Sequence, residues 1–400
     1  MAEPFPYHFS RRIRATPRSF IREILKVTEK PDIISFAGGL PSPEFLDTEG
    51  VARATEEVLR EEGRSALQYS TTEGCLPLRR WIAERYAARY SLEVSPDEIL
   101  ITNGSQQTLD LLARIFLDEG DAVGIESPGY LGAIQAFSQS MPRFCPVPLE
   151  RGGPDANVFT RVIREDRPVF FYGIPNSQNP SGITWSAGRR KELASLLEGT
   201  ESLLVEDDAY GEIRFNEKVL RPMMCDLPER TVLCGTFSKI VAPGLRLGWM
   251  CAPEEIIGKA ITAKQASDLH TSIFSQMVLS RYLAEKDIDA HIRDITRAYA
   301  AQCSLMVSLM EERFPDEVSF TRPDGGMFVW LTLPPGASSM ELWRRAMEEK
   351  VAILPGTPFY TDGDGDRGVR LNFSNADPEK IRTGISRLAD VLDAYLGSLA

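Results

Sequence analysis

The sequence predicts an α/β protein: a large, mostly parallel sheet followed by a smaller α+β unit. Three observations lead there. Apolar runs of strand length recur at residues 99–102, 122–126, 169–174, 203–206, 232–235 and 245–250. Helical patterns such as 106–116 and 187–197 separate most of them. The runs show no polar/apolar alternation, which marks strands covered on both faces.

Taken in order, the chain begins with a basic arm (Arg11, Arg12, Arg14) without apolar periodicity. Residues 19–29 carry Phe20, Ile24, Leu25 and Val27 at near-helical spacing, and 33–41 read as an extended piece ending in a turn. Run 99–102 leads through Asn103-Gly104-Ser105 into a helix N-terminus, whose free N–H groups and dipole suit an anion. Run 169–174 ends in Asn176, Gln178 and Asn179, and run 203–206 ends in Asp207, Asp208 and Tyr210. Such strand ends are where open α/β sheets bind ligands. After residue 290 the pattern changes to a long helix (291–313), short strands (318–320, 326–333, 351–354, 369–373) and helices at 340–349 and 378–396. The expected organisation is an N-terminal arm and helix (1–46) packed with a small domain (291–400), and a large domain between them (47–290).

Composition removes whole classes of function. Against 57 Asp+Glu there are 45 Lys+Arg, a net charge of −12 that opposes nucleic-acid binding. No apolar run approaches the roughly 18 residues of a membrane span. Three histidines and six cysteines without a C-x-x-C pair leave no pattern for a metal site. Unpatterned thiols and the absence of a secretory apolar core near the start point to the cytoplasm. Gly363–Gly368 satisfies G-x-G-x-x-G, but its alternating aspartates would repel a pyrophosphate, so it reads as a solvated turn. The overlapping calcium-loop pattern fails at Arg367 and Phe373.

The segment from Thr236 to Gly248 is the most suggestive. Lys239 follows an apolar run and small hydroxyl residues, and Arg246 opens the next run seven positions later. A lysine so placed suits a Schiff-base nucleophile beside a phosphate. With it, SFAGGLP (35–41), LQYSTTEG (67–74), ITNGSQQ (101–107), QNPSG (178–182), VEDDAYGE (205–212), TFSK and PGLRLG (236–248), GGMFVW (325–330) and LPG (354–356) occur in order. On these motifs the chain resembles the fold-type I, pyridoxal 5'-phosphate (PLP)-dependent aminotransferases of class I/II, within the 2-aminoadipate/kynurenine branch. The resemblance covers about residues 13–396 and implies a large domain with a mostly parallel seven-stranded sheet.

It also implies roles. Lys239 would carry the cofactor as a Schiff base and then shuttle a proton. Asp207, and not Asp208, would pair with the pyridine nitrogen. Tyr210 and Asn179 would donate to the ring's phenolic oxygen, and Tyr130 would stack on its face. Main-chain N–H groups of Gly104, Ser105 and Gln106, with the side chains of Thr236, Ser238 and Arg246, would hold the phosphate. Tyr69 would reach the phosphate of a neighbouring subunit, which implies a homodimer. Arg370 would take the substrate α-carboxylate as a bidentate fork, with Asn179 and Gly39 near the substrate. Arg22 matches an arginine that pairs with a distal carboxylate, so the implied partners are 2-aminoadipate, glutamate, aromatic or aliphatic amino acids and 2-oxoglutarate. A C–S β-lyase or racemase on the same fold is the alternative. An effector-binding domain behind a winged helix is remote, since the match begins near the start of the chain.

Overall fold

Strands buried on both faces must pair their backbone sideways and carry apolar side chains, and the central runs do both. The computed structural model describes residues 7–15, 32–216 and 218–399. The first elements are α1 (Arg11–Ala15), β1 (Ile34–Ser35), α2 (Thr48–Ala66) and α3 (Leu76–Tyr90). Next come β2 (Ile99–Thr102), α4 (Ser105–Phe116), β3 (Ala122–Ser127), α5 (Leu131–Phe137), β4 (Arg143–Glu150), β5 (Gly153–Pro154) and α6 (Ala156–Arg161). After them stand β6 (Phe170–Gly173), α7 (Ala187–Leu197), β7 (Leu203–Asp207), β8 (Thr231–Thr236), β9 (Gly248–Cys251), α8 (Glu254–Gln265) and α9 (Ile273–Glu285). The last third holds α10 (Ile288–Arg313), β10 (Ser319–Phe320), β11 (Phe328–Thr332), α11 (Ser339–Glu348), β12 (Val351–Ala352), β13 (Leu354–Pro355), β14 (Gly368–Asn372) and α12 (Pro378–Gly397).

The main sheet has the order β2-β9-β8-β7-β6-β3-β4-β5. Pairs β8·β7, β7·β6, β6·β3 and β3·β4 are parallel, while β9 runs antiparallel to both neighbours. Seven strands of four residues or more are thus extended at one edge by the two-residue β5. The sequence pattern misses β4 because Pro146 and Pro148 interrupt it; proline lacks an N–H and is tolerated near a sheet edge. The run 245–250 is corrected as well. Pro243–Leu245 forms a 3-10 turn and Arg246 takes φ +54°, so the strand starts only at Gly248.

Side chains alternate across the sheet, so β6 serves two cores. Phe170 and Tyr172 join one continuous cluster with Ile101, Leu233, Leu279, Met306 and Ile385, whereas Phe171 packs with Phe159, Trp185, Leu193 and Leu204. The smaller antiparallel sheet, β10-β11-β14-β13, places Arg370 opposite Trp330. Beside it β1 pairs in parallel with β12. Gly384 of α12 leaves room for Phe36 there, since a Cβ would lie 2.6 Å from the Phe36 ring.

Among the described residues no helix is long and apolar enough to cross a membrane. The Gly363–Gly368 turn is largely exposed and locally braced, with the Asp364 N–H donating to Asp362 Oδ1 at 3.2 Å.

One buried group ties the main sheet to the loop that follows β6. Glu126, at the end of β3, accepts from Trp185 Nε1 at 2.8 Å, Ile174 N at 3.0 Å and Gln178 Nε2 at 3.3 Å. Burial pushes its pKa up to about 8 against these three donors. Trp185→Phe keeps the aromatic bulk but strips one donor from the carboxyl. It is expected to cost about 1–3 kcal/mol, read as a lower denaturation midpoint at unchanged slope.

A candidate active site at the strand ends

The carboxyl ends of β2, β6, β7 and β8 open onto one cleft of about 1100 Å³, part of it open to solvent. Its floor begins at the β2–α4 turn. Helices α2, α7, α9, α10 and α12 satisfy their first N–H groups with Asp47, Ser186, Ser272, Asp287 and Asp377. Helix α4 has Gly104 in that position, at φ +70°, and no side-chain cap. A Cβ there would come within 2.7 Å of Arg246 Nη2. Glycine therefore does two things: it adopts the left-handed turn and lets a guanidinium lie against a helix N-terminus already favourable to anions.

Arg246 is reached through its own left-handed backbone and donates to the carbonyls of Pro243 (3.3 Å) and Asn103 (3.4 Å). Thr236 Oγ1 donates to Ser238 Oγ at 3.0 Å and accepts the Ser238 N–H at 3.2 Å. Together with Ser105 and Gln106, these residues give one end of the cleft hydroxyls, main-chain donors and a cation. Gln106 turns its side chain outward to the Gly132 carbonyl at 2.8 Å.

Lys239 follows β8 by three residues, and its Nζ donates to the Gly39 carbonyl at 3.0 Å. Burial, then the cations Arg370 and Arg246, lower its pKa to about 8, opposed by Asp207. Asp207 ends β7 and is 3% exposed. Tyr172 donates to its Oδ2 at 2.8 Å, and its Oδ1 is buried without a hydrogen-bond partner. Burial pushes the carboxyl up to about 6. Asp208 points elsewhere and accepts from Asn176 Nδ2 at 2.7 Å. Tyr130 and Tyr210 line the same cleft, with burial raising Tyr130 to about 12.

Arg370 reaches in from the smaller sheet. Its Nη1 donates to Asn179 Oδ1 at 2.9 Å and its Nη2 to the Ala37 carbonyl at 2.7 Å. Its guanidinium carbon lies 4.3 Å from the Phe328 ring centre and 5.5 Å from that of Phe359. Burial lowers its pKa to about 10, which leaves it cationic at neutral pH.

The cleft thus gathers every residue to which the family resemblance gave a role, except two. Tyr69 is 79% exposed, edge-on to His270 at 6.0 Å and outside the cleft. Arg22 lies outside the described residues. Sequence reasoning did not find Tyr172, Phe328, Phe359 or the Ala37 carbonyl. A phenol inside a wholly apolar run was the available signal for Tyr172, because a buried hydroxyl needs a partner. Among the described residues no group of acidic, histidine or cysteine side chains could hold a metal.

A family model for aminotransferase class I and II matches residues 32–388. The chain belongs to that family. This aminotransferase is 43% identical to a 2-aminoadipate transaminase from Thermus thermophilus, over 94% of each chain. Its fold matches the crystal structure of the α-aminoadipate aminotransferase LysN from the same species, complexed with N-(5'-phosphopyridoxyl)-L-leucine. There the TM-score is 0.92, with 41% identity and 98% of both chains covered. It also matches a kynurenine aminotransferase from Pyrococcus horikoshii, with a TM-score of 0.92, 39% identity and 97% coverage of both chains. The protein is accordingly a fold-type I transaminase whose cofactor is PLP. The cleft fits that group. The Asp207 Oδ1 atom is buried without a donor, and the helix start at Gly104 carries no side-chain cap and lies beside Arg246.

With its pKa near 8, Lys239 is expected to gain nucleophilicity as pH rises and level off above that value, well short of the ordinary 10.5. Reductive methylation of the cofactor-free protein by formaldehyde with an excess of a borane reductant, followed at Lys239 by mass spectrometry between about pH 6 and 10, measures this. A rate still climbing at the alkaline end would contradict the cationic, desolvated setting.

Proposed function

We propose that this aminotransferase moves the amino group of an L-amino acid to a 2-oxo acid, 2-oxoglutarate above all, by a ping-pong reaction at the cleft built on Lys239. The observation that carries this reading is the juxtaposition of a desolvated lysine amine, a half-satisfied Asp207 and a deeply buried arginine in one space.

PLP, when bound, supplies an electron sink for the charge left on the substrate α-carbon. Asp207 Oδ1 would take the ring N–H, with Tyr172 fixing the other oxygen. Tyr210 and Asn179 would serve the phenolic oxygen, and Tyr130 the ring face. Gly104, Ser105 and Gln106, with Thr236, Ser238 and Arg246, would hold the phosphate. Arg370 spends two of its five N–H donors on Asn179 and Ala37, so donors remain for a substrate carboxylate. The Phe328 and Phe359 rings hold the fork while excluding water from it. Lys239, released from the Gly39 carbonyl, takes the proton from the substrate α-carbon; a pKa near 8 suits a base at neutral pH.

The fold divides in this reading at about residues 46 and 290, with the cleft at the junction. The active form is a cytoplasmic homodimer. Its interface would bury the exposed Tyr69, Leu67 and Leu269, and Tyr69 would complete the partner's phosphate site. Arg22 takes a distal substrate carboxylate, which favours 2-aminoadipate and glutamate as donors.

Lys239→Ala is expected to abolish turnover and the visible absorption of the bound cofactor; normal transamination by that variant would overturn the site. Arg370→Lys is expected to lower kcat/KM by about 10²-fold or more, because an ammonium offers no fork. A panel of glutamate, aspartate, 2-aminoadipate, leucine, phenylalanine and kynurenine with 2-oxoglutarate, ranked by kcat/KM, tests the substrates. Arg22→Ala should weaken the dicarboxylic donors far more than the aromatic ones, and equal losses would remove Arg22 from the site. Pyruvate release from cysteine conjugates, with the cofactor left unchanged by glutamate, would replace transamination with β-elimination.

A further inference from the structure

The turn that starts α4 hangs on an ion pair, its lysine buried and its aspartate partly exposed, with no part in the chemistry above. Lys264, at the end of α8, has a side chain 0% exposed. Its Nζ donates to both oxygens of Asp268 at 2.9 Å and to Gln107 Oε1 at 2.7 Å. Asp268 Oδ2 in turn accepts from Asn103 Nδ2 at 2.5 Å and Gln107 Nε2 at 2.8 Å. Gln107 Oε1 closes the ring by accepting the Asn103 N–H at 2.9 Å. Asn103 and Gln107 thus bracket Gly104, Ser105 and Gln106, and both are held by the one pair.

Burial works against the ammonium, and its bonds to Asp268 and Gln107 offset that cost. The pair also anchors outward: the His270 N–H donates to the Asp268 carbonyl at 2.8 Å, and His270 Nε2 accepts the Ser70 N–H at 3.3 Å. The strut therefore runs from the anion-facing turn to the surface beside Tyr69.

We propose that Lys264 and Asp268 are positioning residues for the phosphate of the cofactor: they set Asn103 and Gln107, and through them the main-chain N–H groups at the start of α4. The inference rests on the reading of this cleft as the PLP site. It separates the phosphate from the rest of the cofactor, because the strut touches neither Asp207 nor Lys239.

The experiment compares the unsubstituted enzyme, Lys264→Met and Asp268→Asn for their affinity toward PLP and toward pyridoxal, which has no phosphate. The ³¹P resonance of bound PLP is recorded alongside. Asp268→Asn keeps the volume but turns an NH2 group toward donors, so it remains informative even where Lys264→Met fails to fold. Both substitutions are expected to weaken PLP by about ten-fold or more, to leave pyridoxal within about two-fold and to shift the ³¹P signal. Equal losses for PLP and pyridoxal, or unchanged PLP affinity with an unshifted resonance, would overturn the proposal. An unsubstituted enzyme that binds PLP no better than pyridoxal would overturn the phosphate site itself and the inference with it.

Discussion

The cleft depends on a carboxylate that the fold buries and then leaves half satisfied. Asp207 stands at the end of β7 with one oxygen bonded to Tyr172 and the other to nothing. An unpaired buried charge is among the most expensive groups a protein can hold. β7 lies inside a block of five parallel strands, with β6 and β8 on either side, which makes the position rigid enough to sustain it, and Lys239 supplies part of the compensation from across the cleft. In the proposed reading a cationic ring nitrogen would supply the rest. The cost borne by the cofactor-free protein would thus be what gives a bound cofactor its orientation and its electronic character.

A second layer of organisation comes from where the charges enter. Asp207, Lys239 and the start of α4 all belong to the main sheet, but Arg370 belongs to the smaller one. Its bonds to Asn179 and to Ala37 join three segments far apart in sequence. The aromatic faces of Phe328 and Phe359 hold the guanidinium in place without neutralising it. The guanidinium is therefore already aimed, and if it takes a substrate carboxylate as proposed, little side-chain entropy would remain to be lost on binding.

Much of this was legible in the sequence because strand ends announce themselves. Asn103, Asn179, Asp207 and Lys239 each follow an apolar run whose length and composition mark a buried strand, so their place at one edge of a sheet follows from topology. What escaped was whatever depends on distant segments meeting. Tyr172 is hidden inside its run, and the Arg370 sandwich needs β11, β14 and the loop after β13. The Lys264–Asp268 pair has i,i+4 spacing, which on a sequence suggests a solvated helix face; only burial reveals it as internal. Strand β4 was obscured by its prolines, and 245–250 was placed early because Pro243 and Gly244 turn the chain before it can extend.

One contact sets how the nucleophile waits. In this structure Lys239 rests on the Gly39 carbonyl, a main-chain acceptor supplied by the segment that follows β1. A carbonyl oxygen accepts from an ammonium and from a neutral amine alike. The berth therefore serves both protonation states, the charged one more strongly. Losing the proton therefore loosens the amine from this carbonyl at the same moment as it makes the amine reactive.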